Sequence, residues 1–310
     1  MREIVIPLAT GLAIFLFGMQ VLRIGLGKLT GKRLQSWLYP FTQTPIISFM
    51  TGLLSTVILQ SSSAVTVLAI GFVNAGVIRF SQCIGLILGT NVGTTITTEL
   101  LLFPVENYAV LFLLAGAASW LVPWHSFRFT GLAVGGLGCI FLGMQTMESI
   151  AGSFQRFGMI DLLSAYDSIE WGVVSGILLT AVIQSSSAAV ALMMGLYNAN
   201  AIPLTFGLAA VLGSNVGTCV TAWMASIGGN RPGKHVAMAH SLINVAGLIA
   251  FYPFVTHLSE WIASTGLSRY AQIAHFQTGF NLVSALILLP FCGLIAHVVQ
   301  SMLPEGMKRK

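Results

Sequence analysis

Charge is what this sequence has least of. Only 7% of its 310 residues are Asp, Glu, Lys or Arg, against about a quarter in soluble globular domains. So few charges could not cover the surface of a soluble chain this size. The shortage excludes a soluble enzyme, a disordered chain and a nucleic-acid-binding domain. Cysteine is sparse as well. Cys83, Cys139, Cys219 and Cys292 are scattered through apolar segments without CxxC or metal-ligand spacing, and read as small packing residues. No A-x-A-like cleavage site follows the first apolar run, which is therefore expected to stay as a helix rather than act as a signal peptide.

What is present is apolar length. Hydrophobic residues make up 55% of the chain and the mean hydropathy is +0.87. Long runs such as Ile4–Leu22 and Tyr108–Val122 lack the alternation of barrel strands. The composition is that of an all-α, polytopic membrane protein. The net charge of +5 gathers in short loops and at the C-terminus, as the positive-inside rule leads one to expect.

Self-comparison shows an internal duplication. Residues 51–99 align without gaps on 175–223, with about 20 of 49 positions identical. Gln60-Ser61-Ser62-Ser63-Ala64 matches Gln184-Ser185-Ser186-Ser187-Ala188, and Asn91-Val92-Gly93-Thr94 matches Asn215-Val216-Gly217-Thr218. Upstream, with a one-residue shift, Gly18-Met19-Gln20 matches Gly143-Met144-Gln145. A first repeat over 1–128, a second over 129–300 and a basic tail over 301–310 follow from this.

Loop charges orient the halves. Arg23, Lys28, Lys32 and Arg33 follow the first helix without an acid, whereas Arg156, Asp161, Asp167 and Glu170 follow its counterpart. After the repeat cores, 102–107 carries only Glu106, while 226–235 carries Arg231 and Lys234. Equivalent segments on opposite sides mean inverted topology, with a substrate site at the repeat interface near the midplane. The basic Lys308-Arg309-Lys310 puts the C-terminus in the cytoplasm, and the protein in the cytoplasmic (inner) membrane.

Helices are expected over 4–24, 63–78, 108–122, 129–150, 188–201, 236–256 and 274–300. Shorter apolar segments, 46–59 and 172–183, lead into the two QSSS motifs. Segments 82–102 and 204–225 are expected to be broken at GTNVGTT and GSNVGT. Re-entrant hairpins and broken helices fit these short, interrupted segments better than simple spans of about 20 residues.

Polar groups at depth in a bilayer point to function by default. Serines at a helix N-terminus add hydroxyls to free N–H groups and the positive end of the dipole, which suits an oxyanion. Gln, Asn, Ser and Thr oxygens with exposed carbonyls suit a hard monovalent cation such as sodium. Transition metals would want His or Cys, and the cores hold no His. Their one basic residue, Arg79, lies at a probable helix end. An anion would then be held by uncharged donors, with its charge offset by co-bound cations, which is a physical basis for cotransport. A membrane-embedded serine hydrolase is not expected, because neither serine motif is accompanied by an apparent base in its own segment.

The doubled QSSS, each copy followed about 30 residues later by G-x-N-V-G-T, resembles the type II sodium-dependent phosphate cotransporters, and within them the bacterial members. The resemblance implies a transporter and not an enzyme: sodium-coupled symport of inorganic phosphate by alternating access, with both QSSS motifs at a central site. It implies phosphate contacts from Ser61, Ser62, Ser63, Ser185, Ser186 and Ser187. It implies that Gln60, Gln184, Asn91, Asn215, Thr94 and Thr218 bind sodium or brace the hairpins, with Thr56 and Thr180 as further candidates. No cofactor is expected, and sodium is a co-substrate. The expected partners are phosphate, sodium, the lipid bilayer and a second copy in a homodimer. Some bacterial relatives carry a soluble C-terminal domain, and none is expected here. Two other readings stay open: a sodium-coupled carrier of another divalent anion, dicarboxylate or sulfate, and an anion channel. Glu99, which faces Trp223 in the alignment, reads equally as a cation or proton site and as an interfacial residue. His235, His240, Asn244, His275, Gln277 and Asn281 read as helix–helix hydrogen-bonding residues, and Met144, Met193 and Met194 as packing.

Overall fold

The computed structural model describes residues 2–30, 44–102, 108–149 and 168–304. All regular structure among them is helical. The first half supplies α1 (Arg2–Thr30), α2 (Pro45–Leu59), α3 (Ser62–Asn74), α4 (Phe80–Leu100) and α5 (Ala109–Ser119). The second supplies α6 (His125–Glu148), α7 (Ile169–Ile183), α8 (Ser186–Asn198), α9 (Leu204–Gly217), α10 (Cys219–Ser226) and α11 (Arg231–Phe251). Beyond these lie α12 (Val255–Ser264), α13 (Arg269–Leu288) and α14 (Cys292–Met302).

Among the described residues, five segments are long and apolar enough to cross a membrane: Val5–Leu26, His125–Met147, Leu204–Ser226, Arg231–Ser264 and Arg269–Met302. The short apolar helices include α2, α3, α5 and α7. Large apolar side chains point outward, among them Phe17, Leu114, Leu178, Val182, Ile249 and Leu286. Thr90, Thr95, Thr98, Asn244, Gln277 and Asn281 are buried. Polar inside and apolar outside is the arrangement of a chain dissolved in lipid. The protein is an all-α, multi-pass membrane protein.

Some of the helices start where a side chain satisfies one of their first N–H groups. Thr44 caps α2 ahead of Pro45, Ser168 caps α7 and Ser268 caps α13. Proline sets the bends near the end of the chain. Pro253 and Pro290 each lie in one turn of 3-10 helix, at Tyr252–Phe254 and Leu289–Phe291, where the missing N–H cannot continue the α-helical ladder.

Two sequence expectations are corrected here. The helix α4 runs unbroken through Gly89-Thr90-Asn91-Val92-Gly93-Thr94. The corresponding break in the second half is the single residue Thr218, which keeps helical angles. These glycines serve close packing instead of chain reversal. A Cβ on Gly89 would sit 2.0 Å from the Phe49 carbonyl oxygen of α2. One on Gly213 would sit 2.1 Å from that of Val173 on α7. Each short helix is pressed backbone to backbone against its long partner, as small residues allow between membrane helices. The second correction concerns α1, which continues to Thr30 and so carries Arg23 and Lys28 on a helix and not in a loop. Lys32, Arg33, Glu106, Arg156, Asp161, Asp167 and the tail 305–310 lie outside the described residues.

Packing through Gly89 has a measurable consequence. Gly89→Ala pushes a methyl into the α2 backbone and should destabilise the folded protein by about 1–3 kcal/mol. Gly195→Ala on α8, where a Cβ meets nothing within 4 Å, should be neutral or stabilising, because Ala favours the helix over Gly. Thermal unfolding of the two detergent-solubilised variants checks the contrast. Equal behaviour would contradict the close-packing account.

Candidate functional site

Each QSSS motif is a chain reversal between two helices. In the first, Gln60 ends α2 in the left-handed region, at φ 49° and ψ 35°. Ser61 then caps α3, its Oγ accepting from the Ala64 N–H at 3.2 Å. Ser62 and Ser63 form the first turn. The second motif repeats this residue for residue. Gln184 ends α7 at φ 57° and ψ 29°, and Ser185 caps α8 by accepting from the Ala188 N–H at 3.3 Å. A left-handed non-glycine residue costs about 1–2 kcal/mol, and here it recurs at matching positions. The reversal brings the N-terminal turn of each following helix, with the free N–H groups that every helix N-terminus carries, to the end of the preceding one.

Both turns open on one pocket. It is lined by Gln60, Ser61, Ser62 and Ser63 from one half and Gln184, Ser185, Ser186 and Ser187 from the other. Thr56, Thr94, Thr97 and Arg23 complete the wall. Among the described residues no carboxylate lines it. The pocket therefore offers hydroxyl donors, two helix N-termini and one cation, the equipment of an anion site.

The two turns are braced differently. Gln60 is buried. Its Nε2 donates to the Val57 carbonyl at 2.7 Å, its Oε1 accepts from Thr97 Oγ1 at 2.8 Å, and its own carbonyl accepts from Arg23 Nε at 2.9 Å. Gln184 is exposed, and its Nε2 approaches the Met224 sulfur at 3.6 Å. The Thr56 hydroxyl, buried on the pocket wall, has no hydrogen-bond partner, and neither has that of its counterpart Thr180.

The remaining candidates sit elsewhere. Asn91 and Asn215 do not line this pocket; they line a second, smaller cavity with Asn244 and Asn281. There Asn91 Nδ2 donates to Asn244 Oδ1 at 2.7 Å, and Asn215 Nδ2 to Asn281 Oδ1 at 2.6 Å. Asn244 donates on to the Asn215 carbonyl at 2.7 Å, and Asn281 to that of Gln277 at 2.9 Å. Thr98 Oγ1 donates to Gln277 Oε1 at 2.6 Å. Apart from the Asn281–Gln277 bond, which lies within α13, these are helix–helix bonds of the kind expected of Asn244, Gln277 and Asn281. Thr218 Oγ1 donates to the Asn215 carbonyl within its own helix turn. Glu99 lies against α13, where one carboxylate oxygen meets His275 Nδ1 at 3.0 Å and accepts from Thr278.

Sequence reasoning missed two pocket residues. Thr97 was hidden in a run of threonines. Arg23 was grouped with the basic residues that follow it, although an arginine directly after the apolar run Ile4–Leu22, three residues beyond Gly18-Met19-Gln20, was itself a signal. Its presence also corrects the expectation that uncharged donors alone face the anion.

The unequal bracing predicts unequal mutants. Gln60→Ala removes two buried side-chain hydrogen bonds and leaves the Thr97 hydroxyl without an acceptor, so it should destabilise the protein by about 1–3 kcal/mol. Gln184→Ala should change stability by less than about 0.5 kcal/mol. Thermal unfolding of the purified variants tests this; equal losses would contradict the geometry.

Comparison with known proteins gives a consistent result. The sequence profile of the Na+/Pi-cotransporter family matches residues 14–149 and 159–290. YqeW of Bacillus subtilis, an uncharacterized protein, is 36% identical over 292 residues, covering 94% of this chain and 95% of its own. YjbB of Escherichia coli, named for inorganic phosphate export, is 26% identical over 301 residues; the match covers 96% of this chain but 55% of YjbB. The rabbit sodium-dependent phosphate transport protein 2A shares a 56-residue stretch at 36% identity, 18% of this chain and 9% of its own. No solved structure matches the chain. The profile covers both QSSS motifs and both NVGT elements, and the chain belongs to the Na+/Pi-cotransporter family.

Proposed function

We propose that this chain is a secondary carrier that moves inorganic phosphate together with sodium by alternating access. The observation that carries the reading is the pocket into which both serine turns open, with hydroxyls, two helix N-termini and, among the described residues, no carboxylate. Such a wall favours a small oxyanion. Serine hydroxyls both donate and accept, which suits phosphate, an anion that still carries a proton at neutral pH. The family, and the names of its phosphate-exporting and sodium-dependent relatives, point the same way.

In this reading Ser61, Ser62, Ser63, Ser185, Ser186 and Ser187 hold the phosphate. The unpartnered, buried hydroxyls of Thr56 and Thr180, with the oxygens of Gln60, Gln184 and Thr94, serve sodium at the turns. Asn91, Asn215 and Thr218 brace the long helices or take sodium in the inner cavity. The repeated turns support an inverted repeat, 1–128 against 129–300, in the cytoplasmic membrane, with the halves moving about the shared pocket. A symporter is reversible, so the summed sodium and phosphate gradients set the direction. Import and the export named for one relative are the same cycle run in opposite senses.

Purified protein in proteoliposomes tests the reading. Radiolabelled phosphate should enter under an inward sodium gradient, and uptake should collapse when potassium replaces sodium. Phosphate uptake of equal rate in potassium would overturn sodium coupling. Stronger competition by sulfate or succinate than by unlabelled phosphate would overturn the substrate. Ser62→Ala and Ser186→Ala should each raise the half-saturating phosphate concentration about tenfold or more, the worth of a hydrogen bond to a charged group.

A further inference from the structure

We propose that Arg23 is the fixed counter-charge of the anion pocket, and that it sets how much negative charge the site accepts. The proposal rests on the phosphate reading above and deepens it. Arg23 lines the pocket with all six serines, and among the described residues none of the other lining side chains is charged. Its Nε donates to the Gln60 carbonyl at 2.9 Å. That bond fixes the plane of the guanidinium. Arginine carries five N–H donors, so four remain on the two terminal nitrogens. No described residue takes them in a hydrogen bond or an ion pair.

Arg23 also lies inside the apolar span Val5–Leu26. A cation at such a place is costly unless an opposite charge completes it. An oxyanion between the serine turns does so, in the geometry guanidinium prefers: paired N–H donors to paired oxygens. The duplication makes the arrangement one-sided. The register that sets Gly18-Met19-Gln20 on Gly143-Met144-Gln145 sets Arg23 on Glu148, so the other half supplies no cation from the matching position. The described residues of the pocket thus carry one positive charge. Monovalent phosphate is neutralised by Arg23 alone. Divalent phosphate keeps one negative charge, which a co-bound cation must offset.

The test compares full-length wild type, Arg23→Gln and Arg23→Lys, reconstituted as monodisperse protein. Phosphate uptake is measured against phosphate concentration, at pH values on either side of the second ionisation of phosphate. Arg23→Gln should raise the half-saturating concentration about ten- to a hundredfold, and more at the higher pH, where the substrate is divalent. Arg23→Lys keeps the charge and should recover most of that loss. An unchanged half-saturation in Arg23→Gln would overturn the proposal. So would a fall in maximal rate alone, equal in both variants and flat with pH, which is what a mere tie to the Gln60 carbonyl predicts. A second measurement needs no variant: phenylglyoxal labelling of Arg23 in wild type, read by mass spectrometry. Phosphate should slow it and chloride should not; equal labelling in both would again overturn the proposal. Failure of the phosphate reading shows separately, as a wild type that carries no phosphate. The same variants assayed with sulfate and succinate then decide whether Arg23 serves whichever anion is carried.

Discussion

A helix that stops inside a bilayer leaves N–H and carbonyl groups that hydrocarbon cannot satisfy. This constraint governs the molecule. Two apolar helices stop at Gln60 and Gln184, and each time the next residue is a serine whose hydroxyl takes one of the N–H groups of the following helix. The remaining groups of the two N-terminal turns are gathered into one pocket. The feature that would cost the fold most in lipid is thereby the feature that can hold an anion. Structure and binding capacity come from the same four residues, used twice.

Such turns need a rigid frame, because a left-handed glutamine persists only where its surroundings fix it. The frame is the pairing of α2 with α4 and of α7 with α9, where Gly89 and Gly213 let backbones touch. Without a hydrophobic driving force between helices in lipid, such close contact is a main source of cohesion. The asparagines of the same two long helices tie them to α11 and α13 through Asn244 and Asn281. Interior amides of this kind act as directional links, since unpaired they would be expensive. The pocket is thus suspended between two closely packed hairpins joined by a polar network.

Much of this was legible in the sequence. Duplicated Gln-Ser-Ser-Ser marks two chain reversals, because glutamine and serines in an apolar run have few other uses. The pocket formed by both motifs follows the expectation set by the family resemblance. The NVGT elements were misread as breaks because Gly, Thr and Asn favour turns in water. Between membrane helices the same residues are packing and hydrogen-bonding groups, and α4 passes through them intact. Arg23 was misread for a related reason. Basic residues near a helix end look like a topological signal, and only three-dimensional placement reveals one of them on the pocket wall. The unequal setting of Gln60 and Gln184 was also invisible, since Arg23 is replaced by Glu148 in the second half, and Thr221, the counterpart of Thr97, is present but leaves its hydroxyl without a hydrogen-bond partner.

The central claim is that two serine turns from the two halves make one anion site. It is tested most directly by crystals grown with sodium and arsenate, in which arsenic is located by its anomalous scattering. The account predicts one arsenic peak within hydrogen-bonding distance of hydroxyls from both Ser61–Ser63 and Ser185–Ser187, with the Arg23 guanidinium beside it. A peak that touches one turn alone, or lies outside the pocket, would contradict it.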